Sequence, residues 1–237
     1  MSVAATRPLG ADTARTIAGA FAPAHAQKAL PGVVEGVHYR AIADGKPYAV
    51  LPAGVVEVAE VFHYTCPHCA SLAPLLEKWK ASLPAHARLV LVPAVFAEDD
   101  AYARLFFASQ VAKSQAVLHP RLFAAIHDAG SLPRNASVGQ LRAFASSVPG
   151  ANAKALAAAL ADDKALRPKL RHAREFAIRS DIPGTPSLVV AGRYLILGNS
   201  YQALLDNARA VVDALAPARR PLRTPPPVRP ASSPARP

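Results

Sequence analysis

The segment Val55-Val-Glu-Val-Ala-Glu-Val-Phe-His-Tyr-Thr-Cys-Pro-His-Cys69 carries the clearest structural signal in this chain of 237 residues. Residues 55–64 are nearly continuously apolar and rich in β-branched and aromatic side chains, which predicts a buried central strand. Pro67 suits the first position of a helix. The apolar spacing that follows predicts a helix over residues 67–82, with a kink at Pro74. The residues that set this spacing are Leu72, Leu75, Leu76 and Trp79.

The rest of the chain divides into a continuation of this sheet and a helical region. A strand is predicted over residues 88–96, broken near Pro93, which completes a strand–helix–strand unit. Residues 98–180 are rich in alanine and show helical periodicity, which indicates an insertion of four or five helices. Strand signals return at 188–190 and 194–197 around a glycine-containing turn, and a helix is predicted over 201–215. The caps indicated are Ser137, with Gln140 completing a capping box, and Ser200.

Both ends of the chain lack the patterns of packed elements. In residues 1–32, two arginines precede a thin apolar run that ends in Ala24-His-Ala26, and this fits the pattern before a signal-peptidase site. The run is short and contains Gly19 and Pro23, so a disordered leader is an equal alternative. Residues 217–237 hold eight prolines and five arginines, which predicts a disordered tail.

The formal net charge of +11 raises the question of nucleic-acid binding. Five of the positive charges are arginines of the tail, which has no acidic residue, and the other basic residues are scattered. Nucleic-acid-binding proteins usually concentrate lysine and arginine on one face or helix. We therefore expect no nucleic-acid partner. The chain also has no uninterrupted apolar run long enough for a membrane-spanning helix.

The chain has two cysteines, Cys66 and Cys69, three positions apart. A structural zinc site normally needs four nitrogen or sulfur ligands. His63 and His68 could supply two, but the first belongs to a predicted strand and the second is fixed inside the motif, so no metal site is expected. No bound cofactor is expected either, because a pair of thiols carries two electrons by itself.

The predicted junction of strand and helix places Cys66 at a helix N-terminus, where unpaired N–H groups and the helix dipole favour an anion. The pKa of Cys66 should therefore fall, which makes it a good leaving group. Pro67 opens the helix, and His68 could donate to the sulfur or add positive charge. Cys69 lies one turn deeper, so we expect it to resolve the mixed disulfide formed on Cys66. The alternative is a static disulfide, although such a crosslink usually ties distant segments together.

On these residues the chain resembles the DsbA family of bacterial periplasmic disulfide oxidases. The resemblance is carried by Phe62-His-Tyr-Thr-Cys-Pro-His-Cys69, Glu35-Gly-Val-His-Tyr39 and Gly184-Thr-Pro-Ser-Leu-Val-Val190. It extends over about residues 33–215. It implies an α/β, thioredoxin-like fold in two parts, residues 33–97 and 181–216, with residues 98–180 as an inserted helical domain.

The resemblance also implies roles for residues outside the cysteine motif. Pro186 corresponds to the cis-proline that faces the active site in thioredoxin-like proteins, and Thr185 would offer backbone groups to an extended substrate peptide. Glu60 corresponds to a buried acid beneath the active site. Well-known members place a lysine beside that acid, but residues 89–94 contain none. Glu60 is therefore expected to be unpaired, with a raised pKa that suits a proton acceptor for Cys69; the alternative is an acid at a strand edge.

The function implied is a protein dithiol oxidase that donates its Cys66–Cys69 disulfide to reduced, newly exported proteins in the periplasm. The family implies reoxidation by a membrane protein of DsbB type. No dimerisation segment is evident, so a monomer is expected. Two alternatives stay open at this point: a reductase or isomerase of the same superfamily, and a non-catalytic, chaperone-like module that binds peptides.

Overall fold

A five-stranded mixed sheet forms the centre of the molecule, for which a computed structural model describes residues 29–216. The expectations for most of residues 1–32 and for all of residues 217–237 fall outside this range. The strands are β1 (Tyr39–Ala41), β2 (Val56–Phe62), β3 (Ala87–Pro93), β4 (Ser187–Val190) and β5 (Tyr194–Ile196). Their order is β1-β5-β4-β2-β3. Only β2 and β3 pair in parallel, and the other neighbours are antiparallel.

The strand–helix–strand unit predicted from the sequence is confirmed. Six of the seven residues of β2 are buried, because the strand pairs on both sides and is covered on both faces. Helix α1 (Pro67–Ala81) follows β2 and leads back to β3. Its buried residues are Cys69, Leu72 and Leu76. The unit therefore places the start of α1 at the carboxyl end of the central strand.

Five α-helices lie between β3 and β4, in agreement with the predicted helical insertion. They are α2 (Ala101–Val111), α3 (Gln115–Phe123), α4 (Val138–Ser147), α5 (Ala153–Ala161) and α6 (Asp163–Arg179), and a π-helical turn, Ala124–Asp128, extends α3. The capping box at Ser137 and Gln140 is present at the start of α4. Helix α2 forms the centre of this domain, since eight of its eleven residues are buried.

The hairpin of β4 and β5 and the last helix complete the sheet side of the fold. Gly192 in the hairpin turn has a φ of +65°, and a Cβ there would lie 2.1 Å from the backbone of Lys46. Only glycine fits this turn, because the preceding loop presses directly against it. Helix α7 (Tyr201–Ala214) begins after Ser200, whose hydroxyl accepts a hydrogen bond from the Ala203 N–H, as the sequence predicts.

Two apolar cores cover the two faces of the sheet. The larger one joins Ala59, Val61 and Val189 of the sheet to the helical domain. The smaller one joins Val58, Leu188 and the apolar sides of α1 and α7, and Trp79 packs against it while remaining partly exposed. Between residues 29 and 216, no helix is long and apolar enough to cross a membrane.

Candidate active site

Cys66 and Cys69 lie at the start of α1, where the central strand ends. Cys66 has extended backbone (φ −80°, ψ 119°) and is partly exposed, whereas Cys69 is fully buried. Pro67 occupies the first helical position, where a missing N–H leaves no helical hydrogen bond unmade. Both cysteines are free thiols in this structure. One sulfur is therefore open to another molecule, and the second is shielded behind it.

Hydrogen bonds to its sulfur lower the pKa of Cys66. Burial acts in the opposite direction, but it is outweighed by donors from Thr185, Cys69 and His68. The donor of Thr185 is its side chain, Cys69 contributes both its N–H and its thiol, and His68 contributes its N–H. The two N–H groups belong to the first turn of α1, where a helix stabilises an anion. The predicted fall in the pKa of Cys66 is therefore present.

The pKa of Cys69 moves the other way. Burial raises it well above the ordinary value for a thiol, a hydrogen bond from the His63 backbone opposes this, and the charges of Glu60 and Cys66 raise it further. The two cysteines of one motif are thus electrostatically different. Cys66 ionises more readily than an ordinary thiol, and Cys69 ionises less readily.

Glu60 lies on β2, between Leu188 of β4 and Leu91 of β3 in the sheet register, and is 2% exposed. No basic group within residues 29–216 forms an ion pair with its carboxylate. Burial raises its pKa to about 8, and the charges of Glu77 and Cys66 contribute to the same shift. The raised pKa expected from the sequence is confirmed. Its role as a proton acceptor for Cys69 stays a prediction.

The loop before β4 brings the second half of the sheet domain to Cys66. The Thr185–Pro186 peptide bond is cis, as the resemblance implies. The carbonyl oxygen of Thr185 accepts a hydrogen bond from the Cys66 thiol over 3.1 Å. Both loop residues are partly exposed. Backbone groups of this loop therefore lie beside the reactive sulfur, where an extended peptide could reach them.

The imidazole of His68 has a partner that the sequence did not indicate. Its Nδ1 lies 3.0 Å from the hydroxyl of Tyr201, the first residue of α7, and the ring is exposed. The group of His68 that acts on the Cys66 sulfur is the backbone N–H. Tyr201 and His68 are 133 positions apart, so no local pattern could reveal this contact.

The helical domain holds the two residues that precede Cys66. The Nε2 of His127 lies 2.7 Å from the carbonyl oxygen of Tyr64, and the guanidinium group of Arg134 donates to the carbonyl oxygen of Thr65. Neither His127 nor Arg134 belongs to a sequence motif that indicates a role at the site. Both contacts join segments more than 60 positions apart. They fix the backbone on which Cys66 is placed.

His63 braces the same loop from the sheet side. Its Nδ1 lies 2.8 Å from the Thr65 hydroxyl, and its Nε2 lies 3.2 Å from a carboxylate oxygen of Asp100. Asp100 also caps α2 by accepting a hydrogen bond from Ala103. Burial raises the pKa of Asp100, but the bonds from His63 and Ala103 outweigh burial and the net pKa is lowered. His63 and His68 therefore face different partners, and across residues 29–216 no three His, Cys, Asp or Glu side chains gather as metal ligands.

An aromatic cluster lies directly beneath the loop. The hydroxyl of Tyr64 is 2.9 Å from Nδ1 of His119, and both rings pack against Phe62 and Phe123. Burial lowers the pKa of His119 to about 4, with the charge of Lys80 acting in the same direction, so the ring is neutral at physiological pH. The cluster is a rigid support for the loop that carries Cys66.

Comparison with protein families agrees with this arrangement. Residues 57–209 match the family described as DSBA-like thioredoxin domain. The thiol:disulfide interchange protein DsbA of Bordetella pertussis is 34% identical over 168 residues, which cover 68% of this chain and 76% of that protein. The protein of the same name from Pseudomonas syringae pv. tomato is 28% identical over 183 residues, covering 77% and 82% of the two chains.

Solved structures show the same fold. The oxidoreductase DsbA from Xylella fastidiosa superposes with a TM-score of 0.71 at 35% identity, covering 76% of this chain and 96% of that one. Reduced DsbA1 from Neisseria meningitidis superposes with a TM-score of 0.68 at 26% identity, covering 78% and 96%. The thioredoxin-like fold with an inserted helical domain, expected from the sequence, is therefore confirmed.

Proposed function

Because this chain belongs to the DsbA family of thiol–disulfide oxidoreductases, we propose that it works as a protein dithiol oxidase, passing its Cys66–Cys69 disulfide to reduced proteins. The observation that carries the proposal is the opposite pKa shift of the two cysteines. A thiol with a low pKa leaves a disulfide more readily than one with a high pKa. Cys66, whose pKa is lowered, is also the exposed sulfur, so it is the site at which a substrate is attached and released.

In the proposed cycle, a substrate thiolate attacks the Cys66 sulfur and breaks the bond to Cys69. Cys69 leaves with both electrons of that bond and takes a proton from Glu60, which is largely protonated at neutral pH. Glu60 is left as a carboxylate and accepts the proton back from Cys69 when the disulfide is formed again. A second substrate thiolate attacks the substrate sulfur of the mixed disulfide and expels Cys66 as a thiolate. The substrate gains a disulfide and loses two electrons, and the chain holds them as a thiolate on Cys66 and a thiol on Cys69.

The oxidising direction follows from what folding does to each redox state. The reduced form gains stability from the Cys66 thiolate and its hydrogen bonds, and oxidation removes that thiolate. The loop closed by the disulfide spans only four residues, so the entropy it contributes in return is small. We therefore expect the reduced protein to be more stable than the oxidised one at pH 7.

The sign of the pH dependence follows from linkage. A lowered pKa stabilises the folded state fully above the unfolded pKa of about 8.5, and this contribution disappears as pH falls through the folded pKa. Thermal unfolding with and without reductant should show a higher melting temperature for the reduced form at pH 7 to 8, with the gap closing towards pH 4. A more stable oxidised form at pH 7 would favour a reductase.

The decisive measurement is the equilibrium reduction potential against glutathione. A dithiol oxidase should give a value above about −200 mV, whereas a value near about −270 mV is typical of cytosolic reductants. A second assay, which measures whether the protein oxidises a reduced peptide, separates catalysis from binding. A chaperone-like module would bind the peptide without forming a disulfide in it.

The cellular setting is part of the proposal. We infer periplasmic action on newly exported proteins, a monomer as the working unit, no bound cofactor, and reoxidation by a membrane protein of DsbB type. What supports this setting is the family membership, since exported proteins acquire disulfides in oxidising compartments. To test whether residues 1–28 act as an export signal, they can be fused to a reporter that is active only after export. A reporter that stays in the cytoplasm would contradict it.

A further inference from the structure

A cleft of about 520 Å³ begins at Thr185, beside the reactive sulfur, and leads away from it. It runs between the connection from β3 to α2 and the carboxyl-terminal end of α6. Its walls are mainly apolar, and two of its large side chains, Phe96 and Ile178, are each 70% exposed. Exposed large apolar side chains next to a reactive site indicate a surface that another molecule covers.

The far end of this cleft is positively charged. Arg174 lines it and also lines an adjoining cavity of about 280 Å³, together with Arg167 and Arg171. Arg167 already pairs with Glu98 and Asp163. Within residues 29–216, neither Arg171 nor Arg174 has a carboxylate within ion-pair distance.

The acidic residues of the two cavities are already neutralised. Asp181, the acid that lines the larger cleft, forms an ion pair with Arg40 over 2.9 Å. Glu98, in the smaller cavity, is bound to Arg167. The surface beside the reactive sulfur is therefore apolar close to Thr185 and carries two unpaired positive charges farther along α6.

We propose that this cleft binds the part of a substrate polypeptide next to its reacting cysteine, and that it selects segments with a large apolar residue followed by acidic residues. This inference rests on the proposed dithiol oxidase function and names the class of substrate for the same site. An apolar side chain would pack on Phe96 and Ile178 while the cysteine meets Cys66. Carboxylates beyond it would face Arg171 and Arg174.

Charge excludes the other occupants available to the cleft. The chain's own residues 217–237 carry five arginines and no acidic residue, so Arg171 and Arg174 would repel them. A second copy of the chain brings a net charge of +11 to a positive surface. An extended, acidic and partly apolar polypeptide complements both the walls and the charge, and exposed charges of this kind chiefly raise the association rate.

The test uses short synthetic peptides that share two cysteines and an isoleucine beside the first. They differ in a block of glutamate, glutamine or lysine. Each block is placed before the first cysteine in one peptide and after it in another. The oxidised protein is mixed with reduced peptide, quenched with acid, and the second-order rate constant is obtained by chromatography. Each constant is divided by that variant's rate with dithiothreitol, so that changes in thiol chemistry cancel.

We expect the glutamate peptide to react about tenfold faster than the lysine peptide at low salt, with the difference falling below about threefold at roughly 0.5 M salt. The double variant Arg171→Glu, Arg174→Glu should reverse the order of the two peptides. The matched control, Lys164→Glu with Lys169→Glu, makes the same change in net charge on the same helix but outside both cavities, and it should keep the order. A matched glutamate peptide with serine in place of the isoleucine should react more slowly than the isoleucine peptide, and Ile178→Ser should reduce this difference.

Three results would overturn the proposal. Equal rates for the glutamate and lysine peptides, or equal effects of the two double variants, would mean that the cleft does not select substrates. Binding to phosphatidylglycerol vesicles that Arg171→Glu, Arg174→Glu abolishes, without any peptide preference, would assign these charges to a membrane surface. Failure to oxidise any peptide, with normal exchange with dithiothreitol, would instead contradict the dithiol oxidase function itself.

Discussion

Replacing Glu60 with glutamine should stabilise the protein at neutral and alkaline pH and leave its stability unchanged in acid. The carboxyl group is buried without a counter-ion, and its pKa is raised from 4.5 to about 8. Unfolding releases its proton at any pH between those two values, so the folded state loses stability as pH rises through this window. Glutamine has no proton to release and removes that dependence.

The magnitude follows from the difference between the two pKa values. Each unit is worth about 1.4 kcal/mol, so the raised pKa of Glu60 lowers the free energy of unfolding by on the order of 3 kcal/mol at pH 7 and by about 5 kcal/mol well above pH 8, relative to its value in acid. Below about pH 4.5 both states carry the proton and the cost disappears. With a urea slope of about 2 kcal/mol per molar, Glu60→Gln should raise the unfolding midpoint by about 1.5 M at pH 7.

The assay is urea unfolding of reduced protein at several pH values from 4.5 to 8, comparing each variant with the unsubstituted chain. Glu175→Gln is the matched control, because Glu175 is exposed on α6, and its effect should stay below about 0.5 kcal/mol. The difference in urea midpoint between the Glu60→Gln variant and the parent should be smaller in the oxidised protein, since the charge of Cys66 contributes to the raised pKa of Glu60. A difference in urea midpoint between Glu60→Gln and the parent that stays the same from pH 4.5 to pH 8 would refute the reasoning.

Three further predictions concern the site and the tail. Thr185→Val should raise the midpoint of the pH profile for alkylation of Cys66, because it removes a hydroxyl that lowers the pKa of that thiol. The control Thr185→Ser keeps a hydroxyl and should keep the midpoint. An unchanged midpoint in the valine variant would show that the hydroxyl does not act on the sulfur. Cys69→Ala should trap mixed disulfides on Cys66, and mass spectrometry should find at least about tenfold more of them than Cys66→Ala traps on Cys69. Equal amounts would contradict the roles of Cys66 as the attacked sulfur and Cys69 as the resolving one. Ending the chain after Ala216 should change peptide oxidation by less than about twofold, because eight prolines and five arginines cannot build a core, and a larger loss would mean that the tail contacts a partner.

Elements with strong local signals were predicted almost to the residue. Helix α1 was predicted over 67–82 and spans Pro67–Ala81, because a proline opens it. Helix α7 was predicted over 201–215 and spans Tyr201–Ala214, because Ser200 caps it. The strand predicted over 88–96 with a break near Pro93 corresponds to β3, which ends at Pro93, and the residues beyond it turn outward and expose Phe96.

Features that depend on distant parts of the chain escaped sequence reasoning. Strand β1 has three residues and pairs with β5, more than 150 positions away, so it has no hydrophobic pattern of its own, and only the resemblance carried by residues 35–39 points to it. Leu75 continues the apolar spacing of α1 but is 38% exposed, because the neighbouring elements cover only the side with Cys69, Leu72 and Leu76. The chemistry of the two cysteines could be predicted from a helix N-terminus. The groups that hold the backbone before Cys66, from His127 and Arg134, and the Tyr201 hydroxyl that contacts His68 come from elsewhere in the chain.

The contact between Cys66 and Thr185 joins residues 119 positions apart, with the whole helical domain in between. A chain made from its N-terminus therefore presents both cysteines long before their partners exist. During that interval Arg134 cannot hold the carbonyl group of Thr65, and the hydroxyl of Thr185 cannot act on the Cys66 sulfur. Such a nascent thiol pair lacks these two influences on its reactivity, and the enzyme acquires its complete site only when the last strands join the sheet.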